Sequence, residues 1–174
     1  MYIVFFTISV LFATQVKSLQ HNFTYFSYTS PYQILYIIWF STVGIGIYLK
    51  LYALVKSLDK QTRIRCHIAL LLYYVGCLLP YNNTQNLFST LHILFSLIAI
   101  ILVFLIIYNY LYEIAITDSI RYQKLFSIIQ IGLFFFFPIC YINGSINIIV
   151  ELYCLGFLLY VLYCIEKYEK KWMH

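Results

Sequence analysis

Apolar residues fall in long runs along this chain, and polar residues fill the short gaps between them. A helix needs roughly 20 apolar residues to cross about 30 Å of hydrocarbon at 1.5 Å per residue. Runs approaching that length lie at approximately 2–16, 32–54, 66–81, 90–112, 124–142 and 145–165. The second, fourth, fifth and sixth are clear. The first and third are short, so each must tilt little, borrow flanking residues or lie where the bilayer thins. The pattern predicts an all-α integral membrane protein, a six-helix bundle. No linker is long enough to separate domains, which predicts a single transmembrane domain.

The first run has two readings. Its core, IVFFTISVLFA, is about as long as the apolar region of a signal peptide, and Val16-Lys17-Ser18 resembles a cleavage site. No basic residue precedes that core, which favours a retained first span. Cleavage would leave five spans, with the direction of the others unchanged.

Composition agrees with a lipid solvent: the 174 residues are 63% hydrophobic and 10% charged. A soluble domain of this length could not cover its surface with so few charges. The net charge of +5 could suggest a nucleic-acid partner, but its distribution excludes that reading. Lys50, Lys56, Lys60, Arg63, Arg65, Arg121, Lys124, Lys167, Lys170 and Lys171 fall on one side of a six-span chain, leaving Lys17 on the other. Basic residues collect in cytoplasmic loops, so both termini are expected in the cytoplasm and the protein in the cytoplasmic (plasma) membrane. The basic 50–65 segment would face anionic headgroups or serve only as a topology signal. Tyr25, Tyr28, Tyr32 and Tyr36 mark the outer boundary, and Tyr108, Tyr110, Tyr112, Tyr163 and Tyr168 the inner one, as aromatic belts do.

Polar groups inside lipid narrow the search for a site. Glu151 is the one acid clearly inside a predicted span, about a turn and a half into the sixth helix. Asn143, Asn147, Glu151 and Cys154 recur at helical spacing and are expected to share a face. His92 lies at similar depth on the fourth helix, with Ser96, Ala99 and Val103 continuing its stripe. Gln123, Ser127 and Gln130 share a face of the fifth, where Pro138 is expected to kink the helix. The expected ligand-binding cluster is His92, Glu151 and Asn147 at the base of an outer cleft, with His21 and Gln33 at its mouth. The competing reading is that these groups bond nearby backbone and hold helices together. Asn22, Asn82 and Asn143 begin Asn-x-Ser/Thr triplets in expected outer loops.

The chain has no HExxH, GxSxG or P-loop motif, and no paired Asp within a span. The five cysteines read as small apolar side chains in or beside the runs. Neither a metal nor a cofactor is expected. A third run ending GCLLPYNNTQN and a fourth opening LHILFSLIAIILVF resemble the six-span family of the damage-regulated autophagy modulator and FRAG-type proteins, with their bacterial relatives. The matching positions are Gly76, Pro80, His92 and Ala99. Bacterial relatives commonly carry an acid shortly after the proline, where this chain has Asn82 and Asn83. The resemblance implies lipid handling, sensing or membrane regulation, with membrane lipids and a membrane protein as partners. The alternative is a small-molecule transporter or a substrate-capturing transport subunit. An intramembrane enzyme using His92 and Glu151 is a third class.

Overall fold

The computed structural model describes residues 1–15, 23–27, 32–56, 58–79, 87–144 and 147–172. It is all-helical, with α1 (Tyr2–Ala13), a 3-10 turn (Phe23–Ser27), α2 (Gln33–Val55), α3 (Lys60–Leu78), α4 (Leu87–Thr117), α5 (Ser119–Asn143) and α6 (Ile148–Trp172). Four of these, α2, α4, α5 and α6, are long and apolar enough to cross a membrane. Their outward side chains suit lipid rather than water: Phe134 is 70% exposed and Phe137 69%.

The helices outrun the apolar runs that predicted them. The fourth spans 31 residues instead of the expected 90–112, and α5 begins at Ser119 instead of 124. The expected inner connection thus shrinks to one residue, Asp118. Its carboxylate accepts the Arg121 N–H at 3.0 Å and caps α5, whose first-turn amides have no earlier carbonyl to bond. Helical hydrogen bonding does not require apolar side chains, so hydropathy marks the part suited to lipid and not the helix itself. The third helix likewise starts at Lys60, within the basic segment, and α1 ends at Ala13 after 12 residues. The helix containing Pro138 is continuous from Ser119 to Asn143.

Backbone contacts divide the chain into two compact units. One comprises Met1–Phe23 and Leu111–His174. In it, α1 runs antiparallel to α6: the Tyr2 hydroxyl donates to Glu166 Oε2 at 2.7 Å, and Phe6 lies against Gly156. Helix α5 is also antiparallel to α6, with Arg121 and Glu169 3.8 Å apart near one end. Farther along, the rings of Tyr153 and Phe157 bear on Gly132. The Tyr153 hydroxyl donates to the Gly132 carbonyl at 2.5 Å, and a Cβ at Gly132 would run into the Phe157 ring. The missing side chain is what lets these two helices close.

The other unit comprises Thr24–Tyr110. Helices α2 and α3 form an antiparallel pair in which Tyr73 stacks on Phe40 with ring centroids 4.4 Å apart. The neighbouring Tyr74 hydroxyl donates to the Ser41 carbonyl at 3.2 Å. Asp59 caps α3 by accepting the Thr62 N–H at 2.9 Å. Asn109 of α4 donates to the Thr62 hydroxyl at 2.8 Å, fixing α3 and α4 antiparallel at that end.

Candidate functional site

His92 stands in the second turn of α4 and is buried, as are Ser89 and Thr24 of the same unit. Its Nδ1 is 2.7 Å from the Gly76 carbonyl near the end of α3. A carbonyl only accepts, so Nδ1 carries the proton and donates. The other nitrogen, Nε2, faces the Thr24 hydroxyl at 3.5 Å. Gly76 also brings α3 close to α4, since a Cβ there would lie 2.9 Å from Ser96 Oγ. The stripe His92, Ser96, Ala99 therefore does what small residues at helical spacing permit: it receives a neighbouring helix.

Glu151 belongs to the first unit. Its Oε2 accepts the backbone N–H of Phe23 at 2.5 Å, and the Phe23 ring stacks on Phe12 of α1 with centroids 6.1 Å apart. The carboxyl group thus anchors Phe23 to the head of α6. Glu151 stands in the first turn of α6, shallower than the expected turn and a half, because the helix begins only at Ile148.

The expected shared face of Asn143, Asn147, Glu151 and Cys154 loses its first member: Asn147, Glu151 and Cys154 follow at helical spacing from the cap of α6, but Asn143 belongs to α5. Asn143 is the last residue of α5, and Gly144 follows in the left-handed conformation with φ 65°. That conformation, open to glycine without a Cβ penalty, ends α5. Asn147 is the cap of α6: its Oδ1 accepts from Ile149 N at 3.1 Å and Val150 N at 3.2 Å, while its Nδ2 donates to Asn143 Oδ1 at 2.9 Å. Asn143 in turn donates to the Ile139 carbonyl at 2.7 Å. Two amides that spacing placed on one helix therefore bridge a break between two. Gln33 is exposed as the first residue of α2. His21 lies outside the described residues, as do Lys17, Asn22, Pro31, Pro80, Asn82, Asn83 and His174.

The sequence reading missed Phe23 and Thr24 as the partners of Glu151 and His92. No periodicity signals a 3-10 turn. It also missed Tyr2, Tyr153 and Asn109, the last an amide within an apolar run. Tyrosines read as interface belts gave no hint that Tyr153 and Tyr2 reach across helices. The five cysteines are free thiols. Among the described residues, no group of three or more His, Cys, Asp or Glu could hold a metal ion.

Two open grooves lie in the first unit. One, of about 300 Å³, is lined by Phe6 of α1 and by Leu152, Tyr153, Gly156 and Phe157 of α6. The other, of about 520 Å³, is lined by Gln123, Lys124, Ser127 and Ile128 of α5 and Tyr168 of α6. No family model, curated protein or solved structure matches the chain.

Proposed function

We propose that the chain is a six-span protein of the cytoplasmic membrane, with both termini in the cytoplasm, that handles or senses membrane lipid. The observation that carries this reading is the groove between α1 and α6. Its walls are apolar side chains, and the polar end of Tyr153 is turned to the Gly132 carbonyl. An acyl chain is the occupant that loses nothing by entering such a surface. The antiparallel pairing of α1 with α6, α5 with α6, α2 with α3 and α3 with α4 supports spans that alternate in direction. The basic residues then keep the side that the positive-inside rule assigns them.

His92 has a separate part in this reading. Its bond to Gly76 makes it a brace for α3 and α4, with Thr24 close to its other nitrogen, and His92 and Gly76 are two of the positions that carry the resemblance to the autophagy-modulator family. Small-molecule transport is the second reading. It calls for a closed polar chamber, whereas the two grooves described are open.

Native mass spectrometry of protein extracted gently from membrane tests the proposal. Leu152→Trp fills the α1–α6 groove and is expected to reduce the number of retained lipids while leaving the thermal midpoint near that of the wild type. An unchanged lipid complement in a folded variant would remove the groove as a lipid site.

A further inference from the structure

The second groove differs in chemistry from the first. Lys124 brings a cation, and the Gln123 amide and Tyr168 hydroxyl bring neutral donors to the same concavity. The Ser127 hydroxyl is committed to the Gln123 carbonyl at 2.8 Å, so its oxygen remains an acceptor. Beside the groove, Arg121 and Glu169 face one another at 3.8 Å, and among the described lining residues Lys124 carries the formal charge.

The stripe does not end at the groove. Lys124, Ile128, Ile131 and Phe135 follow at helical spacing along α5, and Ile131 and Phe135 are 58% and 52% exposed. A cation with neutral donors at the foot of an exposed apolar stripe is complementary to an amphiphile with an anionic head. A free anion would use the head of this surface and leave the stripe idle.

We infer that the α5–α6 groove is a binding site for an anionic phospholipid. The phosphodiester sits at Lys124, the Gln123 amide and the Tyr168 hydroxyl contact headgroup oxygens, and an acyl chain follows Ile128, Ile131 and Phe135. The site requires α5 and α6 to lie in a bilayer and is independent of the α1–α6 groove.

The test uses the full chain in nanodiscs of equimolar phosphatidylglycerol and phosphatidylcholine, released into a mass spectrometer with bound lipids retained. The wild type is expected to keep phosphatidylglycerol in preference. Lys124→Gln should lower the ratio of the two lipids roughly five-fold, the factor corresponding to one basic residue near an anionic surface. Lys124→Arg should preserve the ratio, and Ile128→Trp, which fills the groove without changing charge, should lower it. Lys60→Ala removes a charge elsewhere and should leave the ratio alone. An unchanged ratio in folded Lys124→Gln and Ile128→Trp would overturn the inference. So would an equal fall in Lys60→Ala, which would mean diffuse attraction. Displacement of phosphatidylglycerol by inorganic phosphate would assign the groove to the free anion. Loss of lipid in Leu152→Trp with the ratio intact would separate this site from the α1–α6 groove.

Discussion

The His92 corner and the α5–α6 groove both place polar side chains beside apolar helix surface, and they use them in opposite ways. At His92 the imidazole is buried, and its two nitrogens face the Gly76 carbonyl and the Thr24 hydroxyl. At the groove, Gln123, Lys124 and Ser127 are exposed, and of these the Ser127 hydroxyl is bonded to the Gln123 carbonyl. Burial without a partner is costly, so a polar group inside a helix bundle is recruited by the nearest backbone. A group at the boundary can remain available because water or a headgroup satisfies it. The difference teaches that a polar residue in an apolar run marks structure more readily than ligand. Availability is the better guide to a site.

The largest expected effect breaks the packing that carries the groove. Gly132→Val should drive the Phe157 ring from its place and destabilise the protein by about 1–3 kcal/mol, seen as a lower thermal midpoint. If the midpoint stayed, α5 and α6 would be held by something other than this close approach. His92→Ala comes next, at about 1–2 kcal/mol, because it removes a buried side chain and its hydrogen bond to the Gly76 carbonyl, leaving that carbonyl with the Leu79 N–H alone. Its lipid content per folded molecule should match the wild type. Asn147→Ala should cost about 1 kcal/mol through loss of the α6 cap, and Asn147→Asp should recover most of it.

Lys124→Gln should leave the thermal midpoint within error, as exposed substitutions do, while changing the lipids retained. The smallest effect concerns Asp59, which is exposed but engaged. Its hydrogen bonds to Thr62, aided by the nearby Arg65 and Arg63, hold the carboxyl below its usual pKa. A depressed folded-state value means that the cap contributes fully above the ordinary carboxylate range. The contribution is lost as pH falls through the depressed value. Thermal midpoints from neutral to acid pH should therefore converge for wild type and Asp59→Ala. A constant gap would show that the side chain caps α3 without its charge.

Much of this fold is legible in the residues, and the reasons differ by element. The all-helical class and the runs that became α2, α4, α5 and α6 follow from hydropathy alone. The connection at Asp118 was hidden because Arg121 and Lys124 read as loop charges, although Asp118 is a good capping residue. The break between α5 and α6 is legible in the runs, which end at 142 and resume at 145; the helical spacing of Asn143, Asn147 and Glu151 misled only by drawing Asn143 onto the sixth helix, when it is the last residue of α5. Among the site residues, His92 and Glu151 were found as polar groups in apolar runs. Their partners were not, because the backbone groups of Gly76 and Phe23 have no signature in sequence and nothing in spacing brings the Thr24 hydroxyl to a histidine so far along the chain. Gln123 and Ser127 were visible as a face, but Tyr168, far along the chain, joins them only through the α5–α6 pairing.

The central claim is that engaged polar groups hold this protein together while available ones meet lipid. Native mass spectrometry and thermal melting of His92→Ala and Lys124→Gln, run side by side from the same anionic nanodiscs, test it most directly. The account predicts a lower midpoint with unchanged phosphatidylglycerol preference for His92→Ala, and an unchanged midpoint with lost preference for Lys124→Gln. The reverse assignment, or both effects together in both variants, would contradict it.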